Sequence, residues 1–192
     1  MVALWVEAAK PAKVSAIDRL LRRRVVERED IRSQALDAAL MLIAETARFN
    51  HDQGIEFPLR IGLSYGPLWL SFSDELKVFG DTLNTASRLE SLNKETQTRI
   101  LLTQHFIPSP PRLVTRRLGA FLLRGHQHGI DVHELIGHTA HIDERQEQLN
   151  AQFEIALMHY AEQNIERAAA CLEGILQDFP DDGPSQYYHQ RC

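Results

Sequence analysis

Cysteine is almost absent from this chain: Cys171 and Cys192 are the only two among 192 residues. They form no metal-ligand spacing and no disulfide framework, so a reducing cytoplasm is the expected compartment. A basic excess is also absent. The net charge is −5, which excludes a dedicated nucleic-acid binder of the usual positively charged kind. No apolar run approaches the ~20 residues that a membrane span needs. The opening MVALWVEAAKPAK has no basic segment ahead of its apolar residues, so it does not read as a signal peptide. What remains is ordinary globular composition, 44% hydrophobic and 24% charged. That suits one domain, or one domain with a short appendage.

The hydrophobic period changes along the chain. VALWV, from Val2 to Val6, reads as a short β-strand closed by Pro11. Ile17, Leu20, Leu21 and Val25 follow at helical spacing among arginines. RLLRRRVVER could meet phosphates or a membrane surface, but Glu27, Glu29 and Asp30 dilute it, and a solvated amphipathic helix is the preferred reading. A longer helix opens at Glu29 and Asp30, acids at its positive end. Its repeat of Ile31, Ala35, Ala38, Ala39, Leu42, Thr46 and Phe49 predicts one buried face, with Gly54 as its C-terminal cap. FPLRIGLS and LWLSFS then alternate at period two around Tyr65-Gly66-Pro67, which predicts a hairpin. A helix is expected from Gly80 to about Asn93, packed through Leu83, Ala86, Ser87, Leu89 and Leu92. RILLT is a buried strand, and RRLGAFLL and DVHELI are two more, joined by the turn from Gly125 to Gly129.

Beyond Gly137 the pattern is wholly helical. Phe153, Ala156, Leu157, Tyr160, Ala168, Ala169, Leu172, Ile175 and Leu176 outline two amphipathic helices that turn near Asn164. Tyr160, Ala168 and Pro180 resemble one tetratricopeptide-type unit. One such unit cannot bury its own face. It must pack on the first domain, on a partner or within a longer array.

The chemistry lies in KVFGDTLNTASRLESLNK, Lys77 to Lys94. Gly80 permits a tight strand-to-helix turn. Asn84 and Arg88, four residues apart, leave one helix face together. Arg88 offers a planar fork of donors for phosphate oxygens. Asn84 can donate and accept, as a sugar hydroxyl or ring oxygen requires. The first turns of a helix also favour anions. Asn and Arg on a solvated helix face are equally ordinary, and Asp81 is equally a helix-opening acid, so spacing alone leaves both readings open. His126, His128 and His133 have no Cys or carboxylate completing a ligand spacing, so no metal site is assigned to them. Trp69 and Tyr65 read as core or interface residues.

The register of Gly80, Asn84, Arg88, Leu89 and Glu90 resembles class III adenylate and guanylate cyclases. RIGLSYG resembles that family's strand ending in a Gly turn, TRILLT its next strand, RRLGAFLLRG its Leu-Gly strand leading to Lys-Gly, and DVHELIG its last strand. The order agrees from about Phe57 to Gly137. The resemblance implies an α+β fold: a partial ferredoxin-like cyclase sheet with flanking helices, then a helical hairpin. Residues 1–137 would be the cyclase-homology domain and residues 138–192 a tetratricopeptide-like extension.

In that family the 3′-hydroxyl of a nucleoside triphosphate attacks its own α-phosphate and pyrophosphate leaves. Two Asp residues hold two divalent ions, Mg²⁺ or Mn²⁺. By resemblance Asn84 would orient the ribose and Arg88 would stabilise the transferring phosphate, as catalytic residues, at a dimer interface whose metals come from the other subunit. Arg124 stands where the family has a triphosphate-binding Lys. Lys77, three before Gly80, stands where the base is read. It can only donate, which suits guanine's oxygen better than adenine's amine, and a solvated surface lysine is the alternative. Together with Gly80, these are the expected substrate-binding positions for ATP or GTP.

Neither metal Asp has a counterpart in the expected place: VALWV follows the point where the second would lie, and Asp18 and Asp30 fall in helical patterns. The chain is therefore expected to hold no metal itself and to be inactive alone, with an incomplete sheet edge. It would act as a homodimer, or as a heterodimer with a metal-competent cyclase domain. The other readings are a non-enzymatic dimerisation or interaction module, and a start codon lying further upstream.

Overall fold

The structure, a computed structural model, describes residues 2–5, 28–72, 76–108 and 113–192. In chain order the elements are β1 (Val2–Trp5), α1 (Arg28–Gln53), β2 (Ile61–Ser64), β3 (Trp69–Phe72), β4 (Leu76–Phe79), α2 (Asp81–Thr96), β5 (Ile100–Thr103), β6 (Leu113–Phe121), β7 (Ile130–His138), α3 (Glu144–Ala161), α4 (Ile165–Asp178) and α5 (Gly183–His189). The class is α+β, with helices on both sides of a mixed sheet. The helix expected over Ala16 to Arg28, and the basic stretch in it, lie outside the described residues apart from Arg28.

The main sheet has five strands in the order β1-β2-β5-β7-β6. β1, β2 and β5 run parallel. β7 is antiparallel to both β5 and β6. β2 and β5 are buried along their whole length, as apolar runs covered on both faces should be. Period two divides their side chains between two cores. Ile61, Leu63, Ile100 and Leu102 meet Leu36 and Ala39 of α1. Leu101 and Val132 point the other way, to Leu89 and Leu92 of α2 and to Phe153, Leu157 and Leu172 of α3 and α4.

Two expectations are corrected. LWLSFS does not pair with FPLRIGLS. β3 pairs with β4, Trp69 opposite Phe79 and Ser71 opposite Lys77, in a separate two-stranded sheet. Both edges of β2 are already taken by β1 and β5. The Gly66-Pro67 turn leads the chain away to α2, where the Thr82 hydroxyl donates to the Pro67 carbonyl at 2.9 Å. The buried stripe of α1 is also rotated. Leu36 and Ala39 are its core residues, with Ala35, Leu40 and Ile43 beside them. Leu42 and Phe49, expected inside, are 41% and 56% exposed, and Met41 is 66% exposed. The helix is apolar on several faces, so its period cannot choose which one the sheet takes. Gly54 ends it with φ 63°, the left-handed conformation expected of the cap.

The helices after Gly137 close one side of the sheet. α3 and α4 form the expected pair, turning at Asn164. Phe153 and Tyr188 enter the core with Leu118. The Tyr188 hydroxyl donates to the Leu118 carbonyl at 2.5 Å. A Cβ on Gly183 would lie 2.3 Å from the Thr96 carbonyl oxygen, so the start of α5 abuts the end of α2. Arg116 of β6 reaches Glu134 of β7 at 2.7 Å and Asp182 at 2.8 Å. Asp182 also caps α5, accepting from the Ser185 N–H at 3.0 Å. Burial opposes the Arg116 charge, but the two carboxylates outweigh it and hold its pKa above the ordinary value.

Candidate functional site

The site is built on α2, and β2 fixes where α2 lies. Gly62 of β2 has no Cβ, and one placed there would fall 2.0 Å from the Ala86 carbonyl oxygen and 2.6 Å from the Glu90 N–H nitrogen. The backbones therefore touch, and no larger residue at position 62 is compatible with this packing. Gly80 enters the helix at φ 146°, again a conformation side chains avoid. At the far end the Asn93 amide donates to the Ile61 carbonyl at 3.0 Å and the Leu89 carbonyl at 2.9 Å. Thr98 donates to the Asn93 side-chain oxygen at 2.8 Å, and Gln97 closes the helix in the left-handed conformation. These polar ties carry α2 one turn past the expected end at Asn93.

The inner face of α2 thus carries Ala86, Leu89 and Leu92. Leu83 and Ser87, expected among the packed residues, are only half-buried. The outer face carries Asn84, which is exposed, and Arg88, which is half-buried. Residues four apart on a helix have Cβ atoms about 6 Å apart, so the two heads can serve one ligand. Asn84 lies in the first turn, but Arg88 lies two turns in, beyond the reach of the helix's free N–H groups. Asp81 in the first turn further weakens that end for an anion. The positive character of the site comes from side chains, not from the helix terminus.

Arg88 is seated against the β6–β7 turn. A Cβ on Gly125 would be 3.4 Å from its Nη2 and 3.6 Å from its Nη1, and Gly125 has φ 83°. The guanidinium therefore lies in van der Waals range of this turn, whose positive φ, more than any lack of space, favours glycine. The turn is held to α2 by His126, whose Nε2 is 3.0 Å from the Thr85 hydroxyl. Arg124, the neighbour of Gly125, is exposed. Arg88 and Arg124 line one open cleft of about 560 Å³. The structure thus brings Arg88 and Arg124 together in one cleft, while Asn84, one turn before Arg88, is not among the residues that line it. Lys77 lies on β4, leading into Gly80, and its side chain is outside the described residues.

The same cleft holds residues that the sequence reading did not nominate: Glu95, Tyr187 and Arg191. Glu95 is on α2 itself, and the docking of α5 beside α2 brings Tyr187 and Arg191 to it. No local motif signals a contact between residues so far apart in the chain.

The remaining histidine of interest, His133, is 7% exposed on β7. Burial pushes its pKa below 6.5, and Arg117 adds to this while Asp131 opposes it. Among the described residues no group of three or more His, Cys, Asp or Glu is placed to hold a metal ion, and no helix is long and apolar enough to cross a membrane.

Residues 17–137 match the model of the adenylate and guanylate cyclase catalytic domain, and the chain belongs to that family. The terminal-differentiation-specific adenylate cyclase of Dictyostelium discoideum is 28% identical over 128 residues, covering 62% of this chain. The chain corresponds to only 6% of the length of that relative. No solved structure matches.

Proposed function

We propose that this chain supplies the nucleotide-positioning half of a class III cyclase site, converting a nucleoside triphosphate to a cyclic monophosphate and pyrophosphate only when dimerised with a metal-competent cyclase domain. The observation that carries this reading is the seat of Arg88 on Gly125, beside Arg124 and one turn from Asn84. Arg88 would hold the α-phosphate oxygens through its planar fork and stabilise the charge that grows there. Arg124 would bind the phosphates that leave. It keeps the charge of the family's lysine but spreads it over a wider, flatter head. Asn84 would hold the ribose so that its 3′-oxygen faces the α-phosphate. Lys77 and Gly80 would lie at the base end.

The divalent ions of the family do not fit this cleft. Its charged groups are three arginines and Glu95, and Glu95 is engaged with Arg191 at 3.9 Å. That is a donor set for phosphate and not for a cation, so the metal ligands would come from the partner. The outward apolar residues Met41, Leu42 and Phe49 lie on α1, across the sheet from this cleft, so a surface pairing there would not complete the site. The non-enzymatic alternative, a dimerisation module, rests on the same three residues.

The test is cyclic-nucleotide production from ATP and from GTP with Mn²⁺. The purified chain is assayed alone, then mixed with a cyclase domain that has both metal aspartates but lacks its own arginine. Turnover only in the mixture, lost with Arg88→Ala, supports the half-enzyme. Silence in the mixture, from a folded chain, rejects it and leaves the dimerisation module.

A further inference from the structure

The end of α5 brings a third cation into the cleft. Arg191 lies 3.9 Å from Glu95 of α2 and stacks over the Tyr187 ring at 3.5 Å. Its Nη1 donates to the Tyr187 carbonyl at 2.9 Å. The guanidinium is thus held in place but only half-covered, with 41% of its side chain exposed. Stacking fixes an arginine plane while leaving its edge donors free for oxygen acceptors. Burial keeps the Tyr187 phenol above its ordinary pKa, so at neutral pH the ring beneath the guanidinium is neutral.

Charge and direction both specify the ligand. The cleft's charged residues are Arg88, Arg124, Arg191 and Glu95, a net of two positive charges on a chain whose net charge is −5. Such local reversal draws anions to one place. Along α2 the order is Asn84, Arg88, then Glu95 with Arg191 beside it. Arg88 and Glu95 are seven residues apart, about 10 Å along the helix axis. A ribose at Asn84 and an α-phosphate at Arg88 therefore send the remaining phosphates toward Arg124 and Arg191.

We infer that Arg191 is a third phosphate-binding residue, contributed by the C-terminal helices, that contacts the terminal phosphates of a nucleoside triphosphate or the pyrophosphate it releases. This rests on the assignment of Asn84, Arg88 and Arg124 as a nucleotide face. It gives the C-terminal helices a part in the site itself, beyond covering the sheet.

Calorimetric titration of the full chain with ATP, inorganic tripolyphosphate and adenosine monophosphate, at low ionic strength, tests it. Arg191→Ala is expected to weaken ATP and tripolyphosphate binding about tenfold, the loss of one charge-assisted bond, and to leave the monophosphate unchanged. Arg191→Lys should recover part of the loss, and Glu95→Gln should tighten both polyphosphates. Thermal melting checks that each variant is folded. If Arg88→Ala and Arg124→Ala weaken ATP while Arg191→Ala binds like the parent, the inference fails and the nucleotide face stands. If the folded parent binds neither ATP nor tripolyphosphate, or none of the three arginine variants changes binding, both fail together.

Discussion

The two sides of the main sheet are covered by different means. On one side, among the described residues, α1 covers Ile61, Leu63, Ile100 and Leu102 through a stripe led by Leu36 and Ala39, with Phe106 beside it. Its outer face still shows Met41, Leu42 and Phe49. On the other side α2, α3, α4 and α5 build a deeper core around Phe153, Leu118 and Val132. That side is also cross-tied by buried polar contacts: Arg116 with Glu134 and Asp182, Tyr188 with Leu118, and Asn93 with Ile61. Apolar packing tolerates rotation of a helix about its axis, whereas directional contacts do not. The side that holds the nucleotide face is therefore the side built for fixed geometry. The α1 side is left with an apolar surface to offer.

The largest way to break that difference is Arg116→Ala. It would strand Glu134 and Asp182 in the interior without their cation. Burial already raises the Glu134 pKa, against the opposing pull of Arg116. Removing one partner of a buried pair costs about 3–5 kcal/mol, so urea unfolding should show a loss of that order. Protection of the α5 amides from exchange should fall with it. A loss below about 1 kcal/mol would mean that the cross-tie is incidental.

A smaller effect is expected from pH. The His133 ring is neutral in the folded and the unfolded chain above 6.5. As pH falls below that value the unfolded chain takes up the proton first, because burial holds the folded ring's pKa lower. Stability should therefore decline as pH falls through the unfolded value, and level off where the folded ring titrates too. His133→Gln should flatten that decline. An unchanged slope would remove His133 as its cause. The smallest effect on stability is expected at Phe49. Phe49→Ser removes an exposed side chain and should shift unfolding by less than about 0.5 kcal/mol. If α1 is a pairing surface, sedimentation should nevertheless show weaker self-association, or weaker association with a cyclase domain.

The sequence was most readable where structure is local. The helix that carries Asn84 and Arg88, the strand Ile100–Thr103, the β6–β7 pair and the two helices after Gly137 follow from period, turns and caps. Gly54 and Gly80 mark boundaries because their positive φ values favour glycine. What was not readable depends on partners distant in the chain. The strand Trp69–Phe72 alternates equally well beside β2 or β4, and only the occupied edges of β2 exclude the first. The stripe on α1 could not be chosen because more than one of its faces is apolar. Arg191 and Asp182 carry no motif, and their contacts exist only because Gly183 lets α5 pack on the end of α2. The grouping of Arg88 and Arg124 was legible through resemblance, while the seat of Arg88 on Gly125 required the fold.

The central claim is that Arg88, held on Gly125, is a working phosphate-binding group. Complementation measures it most directly: cyclic-nucleotide formation by this chain mixed with the arginine-deficient, metal-competent cyclase domain, with and without Arg88→Ala. The account predicts turnover in the mixture that falls about 10²- to 10³-fold with Arg88→Ala, the effect of removing one transition-state charge donor. It also predicts that Arg88→Lys restores little of the loss, because a point charge does not replace a planar fork. Turnover that is the same with and without Arg88 would contradict it.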